Sequence, residues 1–144
     1  MAKRATSYEA WLREEGIPVV EGYGIEDVTV LPRKPWQRTG GSGAYIELKG
    51  MEGFTGMYVG EIPARGALHP EHHLYEELIY IIRGVGATEI WSAGDEKRKM
   101  HFEWQPGSLF AIPLNARHRM VNGSNEPVIF LAVTSAPLMI DLLH

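Results

Sequence analysis

From residue 44 onward the chain is a succession of five- to eight-residue stretches rich in β-branched and aromatic side chains, each closed by a turn signal. The stretches are 44–49 (AYIELK), 55–62 (TGMYVGEI), 77–83 (ELIYIIR), 86–92 (GATEIWS), 98–104 (RKMHFEW), 108–112 (SLFAI), 117–122 (RHRMVN) and 127–134 (PVIFLAVT). Turns are expected at Arg83-Gly84, Ala93-Gly94-Asp95, Pro106-Gly107, Pro113-Leu114-Asn115 and Asn122-Gly123-Ser124-Asn125. Strands this short and this regularly spaced close into a barrel or pack as a sandwich, so the expected class is all-β. The 16 glycines and 9 prolines in 144 residues exceed the average combined share of about 12%, as many tight turns require. Ahead of the strands, residues 7–15 (SYEAWLREE) read as a short helix with Ser7 as its cap and Gly16 and Pro18 ending it. Residues 32–43, with Pro32, Pro35 and Gly40-Gly41-Ser42-Gly43, read as loop. The expected organisation is therefore an N-terminal helix and extended arm over 1–44, packing on the barrel or on a partner subunit, and a barrel over 45–144.

Side chains alternate faces along a strand. In 98–104 this sets Met100, Phe102 and Trp104 toward the interior and His101 outside with Glu103. In 77–83 both faces are apolar, Glu77, Ile79 and Ile81 against Leu78, Tyr80 and Ile82, which marks a strand covered on both sides. One cover is the barrel interior. The other must be the N-terminal segment or a second subunit, and a homodimer is expected on this ground. Met57, Val59 and Glu61 share a face; were it the inner one, Glu61 would be a candidate acid or base, and Tyr45 is a similar candidate.

Composition excludes several functions. The net charge of −4 argues against nucleic acid and against a polybasic membrane anchor. With no cysteine there is no disulfide, thiolate nucleophile or iron–sulfur cluster, and any metal must be held by nitrogen and oxygen. The longest wholly apolar run, Val128 to Val133, is far short of a membrane span. No apolar stretch follows Met1-Ala2-Lys3-Arg4, so the expected compartment is the cytoplasm.

Three of the six histidines, His69, His72 and His73, fall within five residues, interleaved with Glu71, Glu76 and Glu77. In an extended chain Glu71, His73 and Glu77 share a parity, while His72 and Glu76 face away. About forty residues on, His118 lies in an apolar strand with Met120 and Asn122 on its side and Arg117 and Arg119 on the other. Imidazoles and carboxylates converging inside a barrel would hold Mn, Fe(II), Ni, Co or Zn; the imidazole must be neutral to donate its lone pair, and the carboxylate offsets the cation's charge. A solvated charged loop is the competing reading of the same residues. Arg117 and Arg119 read as surface or subunit contacts or, alternatively, as binding an anionic substrate, Glu96-Lys97-Arg98-Lys99 as a solvated hairpin end, and Trp36 as packing against the barrel or clamping a ligand.

These two stretches resemble the paired motifs of the cupin superfamily. Gly107, Pro113, Asn115, His118 and Asn122 follow G(X)5PXG(X)2H(X)3N with asparagine in place of the second glycine, a residue that tolerates the left-handed turn conformation. Against G(X)5HXH(X)3–4E(X)6G, Glu77 and Gly84 have the expected spacing, His73 takes the second histidine position, Glu71 stands where the first would be, and Gly66 is one residue too close. The resemblance implies a small single-domain cupin, a double-stranded β-helix or jelly-roll barrel. It implies His73, Glu77 and His118 as metal ligands, with Glu71 as a possible fourth unless His72 or His69 takes that place. Fe(II) or Mn(II) is the favoured cofactor. The function implied is a metal-dependent, dioxygenase-like oxidoreductase acting on a small organic molecule. A cupin isomerase or lyase, or a non-catalytic module that binds or senses a small ligand, is the alternative, since fold does not decide among them.

Overall fold

A computed structural model describes residues 6–92 and 94–143. Met1–Arg4 and Ala93, the latter in one of the expected turns, lie outside the described residues. The chain runs as helix α1 (Ser7–Glu15), then strands β1 (Val19–Gly22), β2 (Lys34–Trp36), β3 (Gly41–Leu48), β4 (Gly56–Ile62), β5 (Glu71–His72), β6 (Glu77–Arg83), β7 (Gly86–Trp91), β8 (Met100–Trp104), β9 (Leu109–Ile112), β10 (Arg117–Asn122) and β11 (Val128–Thr134), and ends in helix α2 (Ala136–Leu143). One sheet orders β1-β3-β4-β11-β6-β9, with β2 also on β3; the other orders β5-β10-β7-β8. The two face each other as a jelly roll.

Cross-strand register defines the interior. Tyr45, Tyr58, Ala132, Ile79 and Phe110 are paired in one row, and Glu77 is paired with Thr134 and Ile112 in another. These rows face the core, where Trp36, Tyr45, Tyr58, Ile79, Ile81, Ile112 and Phe130 are buried. The alternate positions, Ala44, Ile46, Val59 and Ile129, form a second cluster on the sheet's outer side, sealed by Ile25, Val28 and Leu31 of the arm. Glu61 belongs to this outer face and pairs with Arg33 at 3.2 Å, so it is not a barrel acid or base.

Several sequence expectations need correction. The helix cap is Thr6, not Ser7: its side chain accepts from Glu9 N–H and the Glu9 carboxylate returns to Thr6 N–H, a capping box. Residues 32–43 are not all loop, because β2 pairs with β3 from Trp36↔Gly41 to Lys34↔Gly43. Gly40 does lie in a turn, but Gly41 and Gly43 are strand residues, and Gly43 leaves room for an indole: a Cβ there would stand 2.6 Å from the Trp36 ring. Met100 and Phe102 are not interior, being 72% and 42% exposed. Their strand is the edge of the smaller sheet, and only Trp104, donating to Thr88 at 2.9 Å, reaches the core. The helix α2 was not foreseen; its Asp141 accepts from Tyr8 N–H at 2.8 Å, tying the two ends of the chain together.

The second face of β6 is open within this chain. Leu78 is 49% exposed and Tyr80 45%, so the N-terminal arm, which covers the β3–β4 half of the outer face, stops short of them. At the turn before His118, Asn115 has φ +64°, the left-handed conformation for which glycine or asparagine is needed there.

Candidate metal centre

Sheet register brings the site together. β5 pairs antiparallel with β10, setting His118 directly opposite Glu71 and Arg117 opposite His72. Partners in register share a face, so Glu71 and His118 turn inward while His72 and Arg117 turn out. The chain then bends through 73–76 before Glu77 opens β6. His73 is fixed at that bend: its Nδ1–H donates to the Tyr75 carbonyl at 2.9 Å, and its ring stacks on Tyr75 with centroids 3.9 Å apart and planes 4° from parallel. The His73 carbonyl accepts from Asn115 N–H at 3.1 Å, which joins the two motif segments.

Ligand atoms of Glu71, His73 and His118 all lie within 4.8 Å of one another. Glu71 Oε2 is 3.7 Å from His73 Nε2 and 3.7 Å from His118 Nε2. The imidazole rings are 5.2 Å apart. Glu77 stands beside this trio, Oε2 3.9 Å from His73 Nε2, and its carboxylate accepts from the Tyr58 hydroxyl at 3.1 Å. His69 and His72 are exposed. His69 Nδ1 lies 3.3 Å from the Arg38 carbonyl and His72 contacts Asn115, so neither joins the trio. His101 is exposed, as expected from its parity; Arg117 is exposed and Arg119 pairs with Glu89.

The electrostatics suit a cation. Burial lowers the pKa of His73 to about 4, and burial, with His73 and Arg38 nearby, lowers that of His118 to about 3. Both imidazoles are therefore neutral at neutral pH, with lone pairs to donate. Burial pushes Glu77 up to about 8, with Glu71 adding to the rise, and burial also raises Glu71. Carboxylates are raised this way when a buried site holds more negative charge than it can solvate. His73 Nε2 is buried with no hydrogen-bond partner among the described residues. Because His73 Nδ1 carries the proton, that orphan is a lone pair aimed at the Glu71 and Glu77 oxygens. The donor set fits a divalent ion.

The site opens into a cleft of about 740 Å³ walled by α1, the 70–75 segment and α2. Arg38 stands on its wall. The guanidinium lies between the Trp11 ring at 5.1 Å and the Trp36 ring at 4.8 Å. Its Nε donates to Glu15 and its Nη1 to Glu71 Oε1 at 3.2 Å. Glu71 thus divides its two oxygens, Oε1 to arginine and Oε2 to the imidazoles. Arg38, Trp11 and Glu15 carried no signal in the sequence as site residues, because no local pattern ties the N-terminal segment to the histidines.

Two imidazoles and a carboxylate converge on the inner face of a jelly-roll barrel and could hold a metal ion. The chain belongs to the Cupin family, which its residues 48–142 match. No curated protein sequence matches it. Among solved structures, it is similar to the oxalate decarboxylase of Lactobacillus farciminis in its formate complex, with 23% identity and a TM-score of 0.63 over 76% of this chain and 32% of that one. It thus spans about a third of the decarboxylase. Drosophila melanogaster CENP-C bound to CAL1 is similar at 15% identity and a TM-score of 0.64, over 87% of this chain and 91% of that one. The plu4264 protein of Photorhabdus luminescens is similar at 20% identity and a TM-score of 0.56, over 79% and 95%. Likeness at these identities shows the shared fold alone.

Proposed function

We propose that this cupin is a metal-dependent, dioxygenase-like oxidoreductase acting on a small organic molecule. The observation that carries the reading is the convergence of Glu71, His73 and His118 ligand atoms within 4.8 Å, with Glu71 and His73 lining a cleft large enough for one small molecule. Two neutral imidazoles and one carboxylate leave coordination positions open, the arrangement suited to Fe(II), with Mn(II) next. Such an ion, held by Glu71, His73 and His118, would supply Lewis-acid and O2-directed redox chemistry at the site. The chain's own residues supply the rest. The Tyr75 carbonyl fixes the tautomer and ring of His73, Arg38 holds Glu71, and Tyr58 holds Glu77 behind His73. Trp11, Tyr75 and Met139 give the cleft an apolar wall that limits water around a bound substrate.

The test is elemental analysis of the protein as isolated, followed by O2-electrode measurements on metal-loaded and chelated samples. About one Fe or Mn per chain with metal-dependent O2 consumption is expected. A protein that takes up no metal, and whose Tm is unmoved by chelator, is instead a non-catalytic ligand-binding barrel.

We also propose that the protein is a homodimer joined through the open half of the larger sheet. Two cross-strand rows there, Leu109–Tyr80–Leu131 and Ala111–Leu78–Val133, contain no charged residue. The other half of the same face is already sealed by the chain's own arm. An uncharged apolar surface is complementary to a second copy of itself, and a two-fold axis would match each row with its equivalent. Sedimentation is expected to give twice the 16.1 kDa chain mass, and Leu109→Lys, at a position 62% exposed in the single chain, to give monomer. A wild-type monomer at micromolar concentration would refute the interface.

A further inference from the structure

We propose that the cleft takes a small monoanionic carboxylate with a flat apolar body, and that Arg38 is the residue that selects its charge. The inference rests on reading this cleft as the ligand pocket of the metal centre, and it adds the chemistry of the ligand.

Among the described residues lining the cleft, Arg38 is the only lysine or arginine. It is held rigidly, between two indoles and against Glu15. A guanidinium has five N–H donors, and Glu15 and Glu71 use one each. Its planar fork matches a carboxylate in two-point geometry, and because it is already ordered, little side-chain entropy is lost on binding. The division of Glu71 matters here. Its Oε2, not Oε1, faces the imidazoles, so a cation drawn to Oε2 competes with Arg38 for the same negative charge. With such a cation bound, Arg38 would keep Glu15 but share Glu71, and its remaining N–H donors would be open to an anion. An anionic ligand at that point lies between two positive centres.

The rest of the wall sets the ligand's body and charge number. Trp11, Leu74, Tyr75, Met139 and Ile140 are apolar or aromatic, whereas Glu14 and Glu71 are acidic. The apolar wall favours a flat hydrocarbon or aryl group, and the two carboxylates disfavour a second negative charge on the ligand.

The probes are phenylacetate and its neutral isostere phenylacetamide, titrated calorimetrically into the full chain, with the metal content of each sample measured in parallel. Wild type is expected to prefer the acid by at least about 10-fold, the scale of charge-assisted hydrogen bonds. Arg38→Gln is expected to abolish that preference. Arg38→Lys, which keeps the charge and loses the fork, is expected to retain part of it. Met139→Ala is expected to weaken both probes by a similar factor and leave their ratio unchanged. Equal affinity of wild type for the two probes, no binding of the acid at 10 mM, or an undiminished preference in a folded Arg38 variant overturns the proposal. An Arg38-dependent preference in a protein that holds no metal sinks the metal reading and overturns the cation's part in freeing Arg38, while keeping Arg38 as the residue that selects charge.

Discussion

Replacing His73 or His118 with alanine will strip the protein of divalent metal, while His101→Ala will leave metal content unchanged. The two imidazoles reach the centre from different segments, one from the bend after β5 and the other from β10, and both lie within 3.7 Å of Glu71 Oε2. Removing either leaves one nitrogen and one or two carboxylates. Such a set binds a first-row ion far less tightly, and its oxygens favour hard ions such as Mg or Ca. Changing only an outer-shell partner of a metal ligand typically costs about 10–100-fold in affinity, and loss of a ligand itself should exceed that. His101 faces solvent on β8 and serves as the internal control, because any loss caused by fewer surface histidines would appear there too. Both ligand variants should keep their fold, since each imidazole is buried at the expense of its own desolvation. Equal metal content in the three purified variants would defeat the ligand assignment.

How far this centre could be read from sequence follows from the range of the forces that build it. Parity along 117–122 is local, so it set His118 inward and apart from Arg117 and Arg119, and pairing of β5 with β10 turns His72 out; His73 reaches the interior from the bend after β5, where strand parity no longer applies. The motif spacing identified a turn at Asn115, and the positive φ found there is what that spacing demands. The motif resemblance offers Glu71 only as a possible fourth ligand beside Glu77; antiparallel register with His118 brings it into the closest set. That register forms between residues almost fifty apart, and no local pattern encodes it. The same limit hid Arg38 and the α2 wall of the cleft, both far in sequence from the histidines. Failure of the interior assignment for Met100 and Phe102 has another cause: alternation tells which residues share a face, but not whether the sheet opposite extends far enough to cover an edge strand.

Trp36→Ala should be among the most destabilising single substitutions in the chain, costing about 3–5 kcal/mol, the range for truncating a large buried aromatic. Trp36 is 1% exposed. Its ring meets Tyr45 edge-on at 5.2 Å and Tyr58 at 5.0 Å, and each such pair contributes about 0.5–1.5 kcal/mol beyond its area. Tyr58 in turn packs on Phe130 at 5.9 Å, so the vacated space lies at the centre of the aromatic layer. The glycine at 43 that admits the indole has no side chain with which to refill it. A domain of this size should lose roughly 10 °C or more in Tm, measured calorimetrically. The substitution also removes one of the two faces holding the Arg38 guanidinium. A milder change, Trp36→Phe, should therefore retain more of the Tm while still loosening Arg38, and with it the preference for a carboxylate ligand. If Trp36→Ala melted within about 2 °C of wild type, the aromatic layer would not be what holds the N-terminal arm to the barrel. The route by which Arg38 reaches the metal centre would then have to be supported by Glu15 and Trp11 alone.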